Sequence, residues 1–180
     1  MVIRRSLSRY LVKLAAQREE HYYDKCRSRL RERFSGKVRI YGDNIFANEV
    51  TEALSKLELA YPYGFGLVQR YIRGVVQVDR PTKIGQFIGV LFQQAPDGKP
   101  LGDSSRFAAR LVRAAATTRR IIGFNAPRDA RSELISLNLE LHAMRRLQCD
   151  SKYFHHQLNQ ILKRERQLHN PNIQNRGDRE

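Results

Sequence analysis

Apolar residues recur along this chain with two periods, and the change from one to the other outlines the elements. Val2, Ile3, Leu7, Tyr10, Leu11 and Leu14 return at helical spacing, with Arg4, Arg5, Arg9 and Lys13 between them. No acid appears before Glu19, so the pattern predicts a basic amphipathic helix. It continues through Arg27-Ser28-Arg29-Leu30-Arg31-Glu32-Arg33, and Ser35-Gly36 ends it. Lys37 to Tyr41 alternates polar with apolar and reads as a short strand. Gly42-Asp43-Asn44 offers a turn and an N-cap. Phe46, Val50, Ala53, Leu54 and Leu57 supply the apolar face of the next helix, and Tyr61-Pro62-Tyr63-Gly64 breaks it. Phe65, Val68, Tyr71, Ile72, Val75 and Val76 predict a further helix over 65–77.

Ile88, Val90 and Phe92 stand at period two within Ile84–Gln94, which predicts one strand bounded by Pro81 and Pro96. Asp103 or Ser104 caps a helix reaching about Ile122, with Phe107, Ala108, Leu111, Val112 and Ala115 inside and Gly123 as its stop. Pro127 opens a helix over 128–147 that buries Leu134, Leu137, Leu141 and Met144. A last helix, 152–168, uses Phe154, Leu158, Ile161 and Leu162. Residues 169–180 carry no apolar stripe and read as a disordered tail. The expected architecture is α+β and mostly helical: about six helices around a small β hairpin or sheet, in a single domain. It divides into a basic helix at 1–34, a core at 35–168 and the tail.

A chain of 180 residues supports one well-buried core. Its composition is ordinary for a globular domain, but the formal net charge of +15 is not. Residues 1–40 hold 12 Lys/Arg against 4 Asp/Glu, residues 41–100 hold 6 against 6, and residues 101–180 hold 15 against 8. The basic ends point to an anionic partner: nucleic acid, an acidic protein or an anionic membrane surface. Arg4, Arg5, Arg9, Arg27, Arg29, Arg31 and Arg33 are candidate anion-binding residues, with Tyr10, Tyr22 and Tyr23 nearby to stack bases. The alternative is a solvated, arginine-rich surface. The N-terminal helix itself has three readings: docking on its own domain, lying on an anionic membrane, or serving as an organellar presequence. No run reaches the roughly 18–20 apolar residues that span a bilayer; the expected setting, read from the sparse cysteines, is cytoplasmic, with membrane association as the alternative.

Cys26 and Cys149 lie in no Cys-x-x-Cys or Cys/His cluster and read as two idle thiols, with a disulfide between them as the alternative. His155 and His156 adjoin on a helix and diverge by about 100°, which suits a solvated face better than a shared metal. Gly64-Phe65-Gly66 and Gly85–Gly89 lack the spacing of a nucleotide-binding loop.

Glu133 and Glu140 stand out. Positions 133, 137, 140 and 144 share one helical face, and so do 134, 137, 141 and 144. Both carboxylates therefore border or enter the apolar stripe. A buried carboxylate must be paired, protonated or metal-bound; the alternative is that both reach water at the stripe's edge.

The segments Phe107–Thr117, Arg131–Glu140 and Arg145-Arg146-Leu147 resemble a family of small uncharacterised bacterial zincin-like proteins. That family carries Leu-Val-His-Glu-x-x-His in the first segment and supplies acids from the later helix. The likeness covers roughly residues 37–160 and implies a zincin-like topology. It also marks a degenerate metal site. The first metal His corresponds to Arg113, the general-base Glu to Ala114 and the second His to Thr117. Arginine stays protonated and does not ligate zinc, and alanine takes no proton from water. The resemblance thus implies a non-catalytic homologue, with no metal or other cofactor. In it the Arg113 guanidinium takes the place of the cation, faces Glu133 and Glu140, and pairs with one or both of them, in bidentate geometry if the packing allows. Such a protein acts as a binding or interaction module through its basic surface. A nucleic-acid-binding protein, a peripheral membrane protein anchored by residues 2–18, and an enzyme using other residues are the alternatives.

Overall fold

The computed structural model describes residues 32–79, 86–87, 89–95, 98, 101–124 and 130–169. The expected N-terminal helix up to residue 31, with Arg4, Arg5, Arg9, Arg27, Arg29 and Arg31, lies outside the described residues, as do Cys26 and the tail from 170.

At Glu32 the structure departs from the expected helix. Glu32–Ser35 is a strand, β1, and it pairs antiparallel with β2, Val38–Tyr41. An alternation of arginines fits an edge strand as well as a helix, and for Arg33, within Glu32–Ser35, the pairing with β2 decides for the strand. Gly36, at φ +59°, makes the turn, and a Cβ there would strike the Gln69 side chain. The Gln69 carboxamide accepts from Lys37 N and donates to Ser35 O, clamping both ends of that turn.

Helix α1, Asn44–Ala60, starts where expected. Asp43 is its N-cap and accepts from Phe46 N at 2.8 Å. Helix α2 runs from Pro62 to Tyr71, which corrects the expected 65–77 helix at both ends. Pro62 sits in the first turn, where its missing N–H costs nothing and its fixed φ favours the helix. Gly74–Val78 is instead strand β3, buried at every position. A strand covered on both faces reads as a continuous apolar run, which periodicity does not separate from helix.

The single strand expected over Ile84–Gln94 is two strands: β4, Gln86–Phe87, and β5, Val90–Gln94. Gly89, at φ +81°, allows the reversal. Its carbonyl accepts from Arg73 N and Gly74 N, and a Cβ there would lie 2.5 Å from Tyr71 O. The last three helices are α3 (Ser104–Phe124), α4 (Ala130–Arg146) and α5 (Ser151–His169). Asp103 caps α3, its Oδ1 accepting from Ser105 N at 2.9 Å and Arg106 N at 3.3 Å. Helix α3 runs through Gly123 to Phe124, so the expected glycine stop does not operate.

The architecture is α+β and mostly helical, with five helices among the described residues and one small mixed sheet. Strand order is β1-β2-β3-β5-β4, with β2, β3 and β5 parallel and the two outer strands antiparallel to their neighbours. Val38, Ile40, Val75 and Leu91 join Phe46, Val50, Leu54, Leu57, Val68, Leu111 and Val112 in the main core. Tyr41, Val76, Val78, Val90 and Phe92 form a second buried cluster, since neighbouring residues of a strand face opposite ways. Helix α3 contacts α1, α2 and α4, and α5 packs on α4. Leu137, Leu141 and Ile161 hold α4 to α5. This order puts α3 between an apolar layer and α4, where the candidate site lies. No helix among the described residues is long and apolar enough to cross a membrane.

Candidate functional site

Helix α3 has two unlike faces. Leu111, Val112 and Ala115 turn toward α1, α2 and the sheet. Arg106, Arg110, Arg113, Thr117 and Arg120 follow one another in steps of four, three, four and three residues. At 100° per residue they share one stripe, about 21 Å long at 1.5 Å per residue. The middle of that stripe meets α4.

Arg113 divides its guanidinium between the two carboxylates singled out in the sequence. Its Nη1 lies 3.3 Å from Glu140 Oε2 and its Nη2 3.7 Å from Glu133 Oε1. One nitrogen for each carboxylate is a bridge between two acids, not the bidentate fork of a single strong pair. Burial differs sharply along the bridge: the Glu140 side chain is 0% exposed, Arg113 34% and Glu133 38%. The cluster thus has a dry end and a wet end. Burial pushes the Glu140 pKa up, and the charge and hydrogen bond of Arg113 oppose that rise, with Arg110 and Arg106 adding smaller opposition. Glu140 Oε1 has no hydrogen-bond partner among the described residues.

Beyond Arg113 the seam is lined by hydroxyls. Thr117 Oγ1 lies 3.0 Å from Arg113 O and 3.2 Å from Ser136 Oγ. A hydroxyl owns one proton, so Thr117 donates to one of these acceptors at a time. Ser136 Oγ reaches Ser132 O at 3.1 Å, and Arg120 Nε donates to Ser132 Oγ at 3.0 Å. Ala114 faces away from this row and is buried in the main core. At the N-terminal end of α3 the Arg106 guanidinium lies against the Tyr153 ring of α5, 3.5 Å from its centroid. Arg110 is exposed and forms no ion pair among the described residues.

The structure therefore brings Arg113, Thr117, Glu133 and Glu140 together and leaves Ala114 in the core. Arg33, a candidate anion-binding residue, donates from β1 to Asn44 Oδ1 at 2.8 Å and Asn48 Oδ1 at 3.0 Å. Sequence reasoning passes over Arg106, Arg110, Arg120 and Tyr153, although the four-and-three spacing of the arginines is readable. A degenerate metal motif singles out Arg113 alone. His155 and His156 are exposed, as expected, and His142 packs edge-on to Tyr61 with ring centroids 5.0 Å apart. Cys149 is a free thiol, its pKa pushed up to about 11, chiefly by burial and then by Asp103. At neutral pH it is therefore a poor nucleophile. No group of three or more His, Cys, Asp or Glu side chains able to hold a metal ion is found among the described residues.

What the arrangement offers is charge and hydrogen-bond donors. Two acids hold one arginine from the α4 side, and three more arginines extend the stripe on either side. Fold and seam together define an α+β protein with an arginine-lined helix pair. No family model, curated protein or solved structure matches the chain.

Proposed function

We propose that this protein is a non-catalytic binding module whose ligand is anionic. In this proposal the fold is zincin-like and the former metal position is filled by a side chain. The observation that carries the reading is the Arg113 guanidinium lying between Glu133 and Glu140. A cation covalently fixed to α3 balances the acids that a divalent ion would otherwise satisfy. Two further residues support it. Ala114 has no proton-accepting group, and Thr117 spends its hydroxyl on Arg113 O and Ser136. The excess of positive charge, +15 over the chain, is left to act on a partner.

Metal analysis and a zinc titration of the full chain test the first half of the proposal. The expected result is well under one equivalent of zinc after purification without chelator, and no saturable site at neutral pH. One tightly held zinc per chain, lost in Glu140→Gln, would mean that the acids serve a metal and that the arginine moves aside. That result would end the non-catalytic reading.

A further inference from the structure

We infer that the arginine stripe of α3, with Tyr153 beside it, is a docking surface for single-stranded nucleic acid. The inference rests on the binding-module reading above and names the partner and the surface. Three features carry it. Arg106, Arg110, Arg113 and Arg120 lie in line over about 21 Å of helix. At the 3.4 Å per phosphate of one duplex strand, that length spans about six phosphates, and fewer of an irregular single strand. A regularly charged backbone fits such a row.

The second feature is the electrostatic state of the row. Arg110 is exposed without an ion pair among the described residues, and Arg113 is one-third exposed with its outer nitrogen 3.7 Å from a half-open Glu133. That distance is long for a charged hydrogen bond, so a phosphate can take the outer nitrogen while Glu140 keeps the inner one. Glu133 thus holds the place of the ligand's charge until the ligand arrives. The third feature selects the ligand class. Arg106 covers the Tyr153 ring at 3.5 Å and remains an exposed residue. A guanidinium plane backed by an aromatic ring is a platform for an unpaired base. Lipid headgroups and acidic peptides have phosphates or carboxylates but no base to stack.

The test uses the full chain and a short fluorescein-labelled oligouridine, with anisotropy read across a salt series. Arg110→Ala weakens binding several-fold and flattens the salt dependence by about 0.7 for each phosphate no longer neutralised. Glu133→Gln tightens binding, because the competing carboxylate is gone. Tyr153→Ala weakens binding with no change in salt slope. Arg70→Ala is the control: Arg70 is exposed on α2, which packs against α3 through Gly64 and Val112, away from the stripe. It leaves binding unchanged. Equal losses in Arg110→Ala and Arg70→Ala would overturn the stripe as the surface. Binding to anionic vesicles or polyglutamate but not to oligouridine would overturn the partner class while leaving the anionic-ligand reading intact. No binding to any of the three would overturn both. Circular dichroism of each variant confirms that a loss is not unfolding.

Discussion

The two faces of α3 solve the same packing problem with opposite chemistry. Toward α1, α2 and the sheet, Leu111, Val112 and Ala115 share one buried apolar cluster with Phe46, Leu54, Leu57 and Val68, and the buried Thr118 beside them turns its hydroxyl onto Ala114 O of its own helix. Each large side chain there contributes about 1.5–3 kcal/mol by leaving water. Toward α4 the same helix presents Arg113 and Thr117, and α4 replies with Glu140, Ser136 and Ser132. A buried ion pair of this kind is weak support for stability, because desolvation of both charges offsets their attraction. The apolar face explains why the protein folds. The polar face needs another reason, and the proposed one is that it holds arginines ready for an anion.

Disturbing each face separates the two roles. The largest effect is expected on the apolar side: Phe46→Ala opens a cavity at a fully buried position and costs about 3–5 kcal/mol in urea unfolding. Arg113→Met strikes the polar side and leaves Glu140 without its cation. The expected loss is about 1–3 kcal/mol, moderated because the buried acid takes up a proton. Asp43→Ala, far from the seam, removes the α1 cap together with the links from Gln77 Nε2 and Gly98 N to the same carboxylate. It is expected to cost about 1 kcal/mol. Those bonds, with Gln77 first, hold the Asp43 pKa down. Its contribution is therefore present above the unfolded pKa and fades as pH falls through the folded one.

The smallest effect is a pH dependence of opposite sign. Burial raises the Glu140 pKa, so the folded chain holds a proton that the unfolded chain releases near 4.5. Relative to Glu140→Gln, the parent protein is most stable below that pH. It loses ground as pH rises from there through the folded pKa. A stability difference that stays flat over this range would show that Glu140 is not under a desolvation penalty.

The apolar face was largely legible in the sequence. Phe46, Val50, Leu54 and Leu57 recur at helical spacing and are all in the core, and Asp43 announces the start of α1. Legibility failed where two environments produce one pattern. Val75 and Val76 continue the periodicity of α2 yet belong to a strand buried on both faces. Arg33 continues a run of basic residues yet lies in β1. Gly89 breaks Ile84–Gln94 into a hairpin because its carbonyl and its positive φ fit against Tyr71 and Arg73, a fit that no local pattern announces. On the polar side, Glu133 and Glu140 were visible as carboxylates trespassing on an apolar stripe. That one would be wholly buried and the other open follows from where α5 and α3 press on α4, which is tertiary information.

Everything proposed for the seam requires that Arg113 and Glu140 form one unit, a fixed cation and the buried carboxyl group beside it. A double-mutant cycle built from Arg113→Met, Glu140→Gln and the double variant, read by urea unfolding at neutral pH, measures that coupling. The double variant is expected to be more stable than Arg113→Met alone, with a coupling energy of about 0.5–3 kcal/mol. Strictly additive effects would contradict it, because additivity is the behaviour of two side chains that do not interact.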